Sequence, residues 1–531
     1  MEWVVLKISF HGACKTVTGS CYMIETEDTK LLLDCGMFQG SKDLKERNYG
    51  EFNFAPNEID YVILTHAHID HSGLIPKLVK KGFKGTIIST KATTDLCSIM
   101  LPDSGHIQEL EVERKNRKLS RAGEPLIEPI YNHLDAKRSL MHFSTLDYDL
   151  KVDLTPTISV RFRDAGHILG SSIVELWIKE NSSETKLVFS GDIGNLNQPI
   201  IKDPTVIEKA DYLIMETTYG NRIHKNLGDK QELLLQIIKS TFLKGGNVII
   251  PAFAVERTQD VLYYLGKLDL EGRLPECKIY VDSPLAISAS EIFRVSINYF
   301  DEETKAAFDK IWQSPGILKR IVMTRSEEDS IKLNNIKTGA IIISASGMCD
   351  AGRIKHHLKH NLWREESSIV FVGYQAPGTL GRQIIDGVKQ VRIHGEQIAV
   401  NAQIHNLEGF SGHADQKALL HWFDSFKQKP KEVFLVHGEP EGMEVFKNLL
   451  LEKYDIKAYT PEFNQSFDLK HGEVKAYDVQ GPSEKDAALL YTNIINKLSE
   501  LYRVNLERQE LKQLYEKLKT IERVIQENIL K

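Results

Sequence analysis

The sequence predicts an α/β protein in which one domain is interrupted by a second α/β domain and is followed by a helical extension. Short apolar runs that end in histidine or carboxylate residues occur in the first 200 residues and again near residue 430. Between them, from about residue 205, strand-like runs alternate with helical patterns, which is typical of a parallel sheet. We therefore expect residues 1–205 and 386–480 to form one domain, residues 206–385 an insert and residues 481–531 a helical extension.

The composition is that of an ordinary globular protein, with 531 residues, 42% hydrophobic and 26% charged. The absence of an apolar run of about 18 residues predicts no membrane span. The amino terminus lacks a signal-peptide pattern, and the six cysteines form no C-x-x-C pair, so we expect free thiols in the cytoplasm. A net charge of −6 excludes a bulk polycation, and any nucleic-acid site must gather its basic groups locally.

The most informative stretch is the turn His66-Ala-His68-Ile-Asp70-His71. It follows a short apolar run, residues 60–65, that reads as a buried strand, and helical spacing resumes after it. Neutral imidazole and carboxylate are the ligands that zinc takes, and this set is large enough for two ions. The alternative, an exposed polar loop, rarely places four ligand-type residues in six positions after a buried strand.

Three further strand-like runs in the first 200 residues end in residues of the same kind. Asp34 follows Leu31–Leu33, His167 lies in a glycine-flanked turn after residues 157–164, and Asp192 lies between glycines after residues 186–190. Asp34 either caps its turn or orients a ligand histidine, and we favour the second role. Asp192 can offer one oxygen to each of two metals and so bridge them.

Two more histidines follow the insert. His437 ends the buried run Glu432–Val436 and can complete the ligand set of a second metal. His413 lies in a turn of small residues and adds nothing that the metals need, so it is the candidate proton donor to a leaving group.

The turns of the insert carry small residues, hydroxyls and nearby arginines, which are suited to binding phosphate. The alternative is that these are ordinary turns with surface arginines. The predicted phosphate-binding residues are Arg257, Ser344, Ser346, Gly347, Arg353, Gly378, Thr379 and Arg382.

The motifs resemble those of the metallo-β-lactamase superfamily, matched here by Asp34, by the histidine turn, by His167 and by Asp192. Glu216, His413 and His437 are similar to motifs A, B and C of its β-CASP branch, the nucleases. The resemblance covers residues 1 to about 465, and a histidine in motif C is typical of the RNA-processing members. The residues of these motifs resemble those of bacterial and archaeal relatives of the pre-mRNA 3′-end processing endonuclease subunit.

The resemblance implies an αββα sandwich with metals at one edge of two sheets, and two-metal hydrolysis of single-stranded RNA. Two Zn²⁺ ions, which Mn²⁺ can replace, would be bound by His66, His68 and His167 and by Asp70, His71 and His437, with Asp192 between them. The implied catalytic set is Asp70, His413, Glu216 and Asp34, with Glu216 holding His413. The alternatives are a small-molecule hydrolase, such as a thioesterase or lactonase, and a non-catalytic RNA-binding scaffold.

The extension past Gly481 consists of helix formers with late 3–4 spacing of apolar residues, such as Leu511, Leu514 and Leu518. It is either a coiled-coil arm that makes a homodimer or a helical hairpin packed on the chain's own core, and the sequence leaves both open.

Overall fold

The computed structural model describes residues 6–180, 183–224, 229–312, 315–376, 378–407, 412–470 and 473–477, with seven scattered positions beyond residue 497. Among them it shows three large sheets and one hairpin, and the predicted α/β class is confirmed. The segment 477–531 forms a unit of its own, and most of its residues, including those of the predicted dimer arm, lie outside the described part of the chain.

The part of the chain before the insert supplies eleven strands and five helices to the described fold. They are β1 (Leu6–Phe10), β2 (Tyr22–Glu25), β3 (Lys30–Leu33), α1 (Lys42–Arg47), β4 (Tyr61–Ile63), α2 (Ile69–Ser72), α3 (Ile75–Lys80), β5 (Thr86–Ser89), α4 (Lys91–Ala122), α5 (His133–Ser139), β6 (Phe143–Thr145), β7 (Val152–Asp153), β8 (Ile158–Asp164), β9 (Ser172–Glu180), β10 (Ser183–Phe189) and β11 (Tyr212–Glu216).

The middle of the chain forms the insert. Its elements are α6 (Lys230–Leu243), β12 (Val248–Pro251), α7 (Arg257–Leu270), β13 (Lys278–Val281), α8 (Pro284–Val295), α9 (Glu302–Trp312), α10 (Pro315–Arg320), β14 (Ile321–Met323), α11 (Glu327–Leu333), β15 (Ala340–Ser344), α12 (Ile354–Asn361), β16 (Ser368–Phe371), α13 (Leu380–Ile385), β17 (Gln390–Ile393), β18 (Glu396–Ala399) and β19 (Gln403–Asn406).

After the insert the chain returns to the first two sheets. The returning elements are α14 (Gln416–Asp424), β20 (Glu432–Val436), α15 (Pro440–Tyr454), β21 (Ala458–Tyr459), β22 (Ser466–Lys470) and β23 (Glu473–Tyr477).

The first two sheets pack face to face with helices on both outer sides. The first runs β23-β22-β1-β2-β3-β4-β5-β6 and the second β21-β20-β11-β10-β9-β8-β7. Alternate strand residues face opposite ways: Leu31 and Leu33 enter the core between the sheets, whereas Leu32 packs with the helices α3 to α5. On the far side, α14 and α15 cover the second sheet. This is the αββα sandwich that the resemblance implied.

The third sheet belongs to the insert and has the order β14-β13-β15-β12-β16-β19, with all described pairings parallel. Helices α6 to α8 cover one face, and α12 and α13 cover the other. Burial on both faces explains the continuous apolar strands, such as Val248–Ile250.

Two strands fall on the other side of the predicted domain limits. β11, expected in the insert, pairs with β10 and β20 in the second sheet. β19, expected in the first domain, pairs with β16 in the third sheet. A buried parallel strand is a continuous apolar run in either sheet, so its sequence does not indicate which sheet it joins. We now expect the insert to begin after β11 and to end after β19.

The insert packs on the sandwich through a shared apolar cluster. Phe293, Phe300 and Phe308 lie in one cluster with the buried residues Leu96 and Met100 of α4. None of the described helices is long and apolar enough to cross a membrane.

Candidate metal centre

The histidine turn is held in place by close backbone contact with a neighbouring turn. β4 ends at Ile63, and the one-turn helix α2 carries Asp70 and His71. Gly36 packs against this turn so tightly that an added Cβ would lie 1.6 Å from the Asp70 carbonyl oxygen. Only a residue without a side chain fits there, and the turn is thereby fixed beneath the sheet edge.

One group of ring nitrogens converges around His68. Its Nδ1 lies 3.1 Å from Nε2 of His66 and 3.2 Å from Nε2 of His167. Oδ2 of Asp192 lies 3.5 Å from the same Nε2 of His66 and 3.6 Å from that of His167. These four side chains form one group of residues that could hold a metal ion.

A second group lies beside the first. Nε2 of His437 is 3.3 Å from Nε2 of His71 and 3.4 Å from Oδ2 of Asp70. Asp192 reaches this group as well, with its Oδ2 3.3 Å from His71 Nε2. The structure thus brings together all seven predicted ligands, with Asp192 between the two groups.

The buried carboxylate of Asp192 is the clearest indication that this centre binds a metal ion. It is 2% exposed, and its Oδ1 is buried with no hydrogen-bond partner among the described residues. Buried carboxylates are normally paired, hydrogen-bonded or coordinated to a metal. The donor set of imidazole nitrogens and carboxylate oxygens is the set that zinc prefers, so the residues fit a metal.

Outer hydrogen bonds orient the ligand rings. Nδ1 of His66 faces the Thr65 hydroxyl at 3.0 Å, and Nδ1 of His437 faces the Thr218 hydroxyl, also at 3.0 Å. His167 Nδ1 donates to the Gly412 carbonyl at 3.2 Å. Because Nδ1 is engaged outside, Nε2 is the nitrogen that points into the centre.

Asp34 holds His71 in the same way. It lies after β3 with φ of 61°, a left-handed conformation that turns its carboxylate beneath the histidine turn. Its Oδ2 is 2.7 Å from His71 Nδ1, and its Oδ1 accepts the Thr65 amide at 2.8 Å. The Ser20 hydroxyl donates to it as well, at 3.3 Å. Asp34 is therefore placed to orient a ligand and to join the turn to β3.

Burial keeps three of the histidines neutral. It lowers the pKa of His66 and His167, with a further contribution from neighbouring imidazoles, and lowers that of His68 to about 4. Burial would raise the pKa of Asp192, but His437 and other imidazoles outweigh it and hold that pKa well below its usual range. Neutral imidazoles and an ionised carboxylate are the forms that bind zinc.

His413 lies beside these two ligand groups and forms a third cluster of ligand-type side chains with Asp192 and Glu216. Its Nδ1 is 3.4 Å from Oε1 of Glu216 and 3.8 Å from Oδ2 of Asp192. Burial lowers its pKa, but these two carboxylates outweigh burial and raise the pKa to about 9. Glu216 is fixed in turn, because it accepts the amides of Ile193 at 2.6 Å and Thr218 at 3.2 Å.

The predicted phosphate-binding arginines lie in three different settings. Arg257 is 6% exposed and pairs with Asp260, near the metal loops. Arg353 donates to Asp282 at 2.8 Å and to two backbone carbonyls, so its guanidinium is used within the fold. Arg382 pairs with Asp386, the C-cap residue of its own helix α13, and its side chain is 42% exposed.

The small predicted residues also divide. Ser344 is buried and donates to the Asp282 carbonyl, whereas Ser346 is bonded to Ala351 at the surface. Gly347 packs against the Phe253 ring, and Gly378 is exposed with φ of 86°. Thr379 caps helix α13 by accepting the Arg382 amide.

Sequence reasoning missed the residues that orient the rings. It assigned no role to Thr65, which immediately precedes His66, or to Thr218, which follows β11. A hydroxyl one position before a strand-end histidine is the only signal for Thr65. Thr218 has no such signal, because its partner His437 is far away in the chain.

Comparison with known families gives a match to three descriptions. Residues 15–205 match the metallo-β-lactamase superfamily, and residues 258–384 match the Beta-Casp domain. Residues 397–461 match the Zn-dependent metallo-hydrolase RNA specificity domain. The last match contains both His413 and His437.

Curated relatives match over most of their length. Ribonuclease TTHA0252 of Thermus thermophilus is 37% identical over 445 residues, which are 84% of this chain and 96% of the relative. Transcription termination factor FttA of Methanocaldococcus jannaschii is 30% identical over 86% of this chain and 70% of the relative. A solved chain of unknown function from Enterococcus faecalis V583 shares the fold, with a TM-score of 0.50, 14% identity, and coverage of 88% of this chain and 100% of that one.

We predict that Asp34→Ala weakens metal binding about 10–100-fold, the usual cost of losing an outer partner of a metal ligand. His71 would lose the acceptor at Nδ1 that sets its orientation. Zinc retained against a competing chelator measures the effect. Asp60→Ala is the control and should retain zinc. It removes an exposed carboxylate just before β4 that accepts the backbone amide of Lys30. Equal retention by the two variants would contradict the role given to Asp34.

Proposed function

This chain belongs to the metallo-β-lactamase superfamily and to its β-CASP branch, and on that basis we propose that it is a metal-dependent ribonuclease that hydrolyses single-stranded RNA. Two facts support the activity: the similarity to a ribonuclease over almost the whole of that relative, and the match of residues 397–461 to an RNA specificity domain. The observation that carries the proposal is the convergence of seven ligand-type side chains, with one buried carboxylate between two groups.

The two groups suggest two metal sites. His66, His68 and His167 would hold one Zn²⁺, and Asp70, His71 and His437 the other. Asp192 would bridge them, since its Oδ2 lies within 3.6 Å of ring nitrogens from both. Mn²⁺ can replace zinc, because carboxylate and imidazole ligands accept both ions. A metal pair of this kind activates water at neutral pH and withdraws charge from phosphate oxygens.

His413 is proposed to supply the proton for the departing ribose oxygen. Its Nδ1 faces Glu216, so this carboxylate orients the ring and stabilises its protonated form. Nε2 is then the nitrogen left to donate a proton. A positioned acid of this kind contributes typically 10²–10⁴-fold to the rate of a reaction. Asp70 acts as a ligand in this scheme, and Asp34 orients His71.

The turns of the insert are proposed to contact the RNA backbone. Of the predicted residues, Arg382, Ser346 and Gly378 lie at or near the surface, whereas Thr379 is buried and caps helix α13. Arg257 and Arg353 are held by Asp260 and Asp282. We therefore place direct phosphate contact on Arg382 and its neighbours, and a supporting role on the other two arginines.

The two alternatives are not favoured. A small-molecule hydrolase would have no use for the insert or for a histidine held by Glu216 beside the metal groups. A non-catalytic scaffold would not need seven intact ligand-type residues with oriented rings.

Two further expectations stay predictions. A cytoplasmic location is supported by the six cysteines, which are all free. Homodimer formation through residues 481–531 concerns a segment of which only seven scattered positions are described.

To test the activity, single-stranded RNA labelled at its 5′ end is incubated with zinc-loaded protein beside the Asp70→Ala variant. We expect labelled RNA to be cut by the wild-type protein and to stay intact with the variant. Internal fragments would indicate an endonuclease, and release of the terminal nucleotide a 5′ exonuclease. Intact RNA in both lanes, with the metal bound, would contradict the proposal.

Asp192→Ala and His413→Ala should separate metal binding from proton transfer. We expect both to lose cleavage, by about 10²–10⁴-fold for His413→Ala. Only Asp192→Ala should lose metal, because Asp192 contacts both groups whereas His413 lies beside them. Elemental analysis after gel filtration measures metal, and the labelled RNA measures cleavage. Full activity in His413→Ala would exclude its role as proton donor.

Arg382→Ala should reduce the salt dependence of RNA binding, whereas Arg353→Ala should not. Each phosphate contact on a single strand contributes roughly 0.7 to the slope of log K against log salt. Arg353 donates to Asp282, so its loss should lower thermal stability instead. Binding of RNA to metal-free protein at several salt concentrations gives the slopes. Equal slopes for wild type and Arg382→Ala would contradict the assignment.

A further inference from the structure

The loop that carries His167 takes one of its hydrogen bonds from the insert rather than from its own domain. Within the loop, the amides of His167 and Ile168 donate to the Ser171 hydroxyl at 3.1 and 3.3 Å. The amide of Leu169 instead donates to Oε2 of Glu256 at 2.9 Å. Leu169 is 0% exposed, so its amide depends on this acceptor rather than on solvent.

Glu256 adopts a backbone conformation that an L-residue rarely accepts. Its φ is 70° and its ψ is −62°, and the Arg257 amide closes a three-residue turn on the Val255 carbonyl at 3.0 Å. Glycine adopts such a conformation without strain, yet a glutamate occupies the position. Strain of this kind persists only where the surrounding structure over-determines the conformation, and such residues cluster at functional sites.

The position of Glu256 links two parts of the fold. It precedes α7 of the insert, and it caps no amide of that helix with its side chain. It is 1% exposed, and its Oε1 is buried without a hydrogen-bond partner among the described residues. The carboxyl group therefore accepts a hydrogen bond from the His167 loop rather than from its own helix.

We propose that Glu256 is a positioning residue through which the insert holds the His167 loop in the geometry that binds metal. The inference rests on the proposed function of this centre and extends it to how the insert takes part. The strained turn points the carboxyl group at Leu169, two positions from His167. Without that acceptor, the Leu169 amide loses its bond, and the loop can shift the His167 ring away from the other two histidines.

Three substitutions separate positioning from stability. Glu256→Gln keeps a carbonyl acceptor, and it is a close mimic because burial and the nearby Asp260 raise the pKa of Glu256 to about 8. Glu256→Ala removes the acceptor and keeps the backbone strain. Glu256→Gly removes the acceptor and relieves the strain. Glu175→Ala is the matched control, a glutamate equally buried at 1% that pairs with Arg161 and Lys186.

The first readouts do not depend on RNA cleavage. With a chelator in excess, Glu256→Ala and Glu256→Gly should release zinc about 10–100-fold faster than wild type, whereas Glu256→Gln should remain close to it. Hydrogen exchange of the Leu169 amide should accelerate in the same two variants. Glu175→Ala should lower the melting temperature without changing either readout.

The Gly variant decides the matter. We expect it to melt at or above the temperature of Glu256→Ala and still to release zinc as fast. If it retains zinc like wild type, or if Glu256→Gln releases zinc as fast as Glu256→Ala, the proposal is overturned.

With RNA as substrate, kcat should fall in the Ala and Gly variants and KM should change little. Because zinc release and amide exchange are measured without substrate, a wild-type protein that cuts no RNA would contradict the proposed function and leave this test intact.

Discussion

The buried carboxylate of Asp192 is the constraint on which the rest of the site depends. A charge that is 2% exposed, with one oxygen lacking any described hydrogen bond, is costly unless cations or protonated groups surround it. Three imidazoles from two separate loops, the histidine turn and the His167 loop, lie within 3.6 Å of its other oxygen. Metal ions bound between these rings would balance the charge of Asp192 and take the inward-facing nitrogens as ligands.

The sandwich makes this arrangement possible by ending several strands at one edge. The histidine turn follows β4, the His167 loop follows β8, and Asp192 and His437 follow β10 and β20. Outer bonds then choose which ring nitrogen faces inward, through Thr65, Thr218 and the Gly412 carbonyl. Left-handed φ values at Asp34 and His437 turn those side chains toward the centre. Orientation is thus built into the turns rather than left to the side chains.

The insert contributes more than a cover over the site. It packs on α4 through a shared aromatic cluster and supplies Glu256 to the metal loop. It also brings Arg257 close to Gly412, where an added Cβ would lie 3.2 Å from both the guanidinium and the His167 ring. The insert, whose turns we propose to contact RNA, is therefore in direct contact with the loops that carry His167 and His413.

Much of the site could be predicted from the sequence because several of its ligand-type residues lie close together in the chain. Strand-end patterns place His66, His68, Asp70 and His71 in one turn, and the period of the strands predicts which face is buried. The sequence also determined the α/β class and the interruption of one domain by another, since alternation of strands and helices is a local property. It did not reveal that β11 and β19 pair across the expected limits, because a buried parallel strand looks the same in any sheet.

Only the tertiary structure decided which distant residues meet. Thr218 reaches His437, and Glu256 reaches Leu169, through contacts between loops far apart in sequence. The tertiary structure also decided that the Arg353 guanidinium donates a hydrogen bond to Asp282, whereas Arg382 lies at the surface. The physical reason is the same in each case: residue type and spacing set what a side chain can bind, whereas packing sets which partner is within reach.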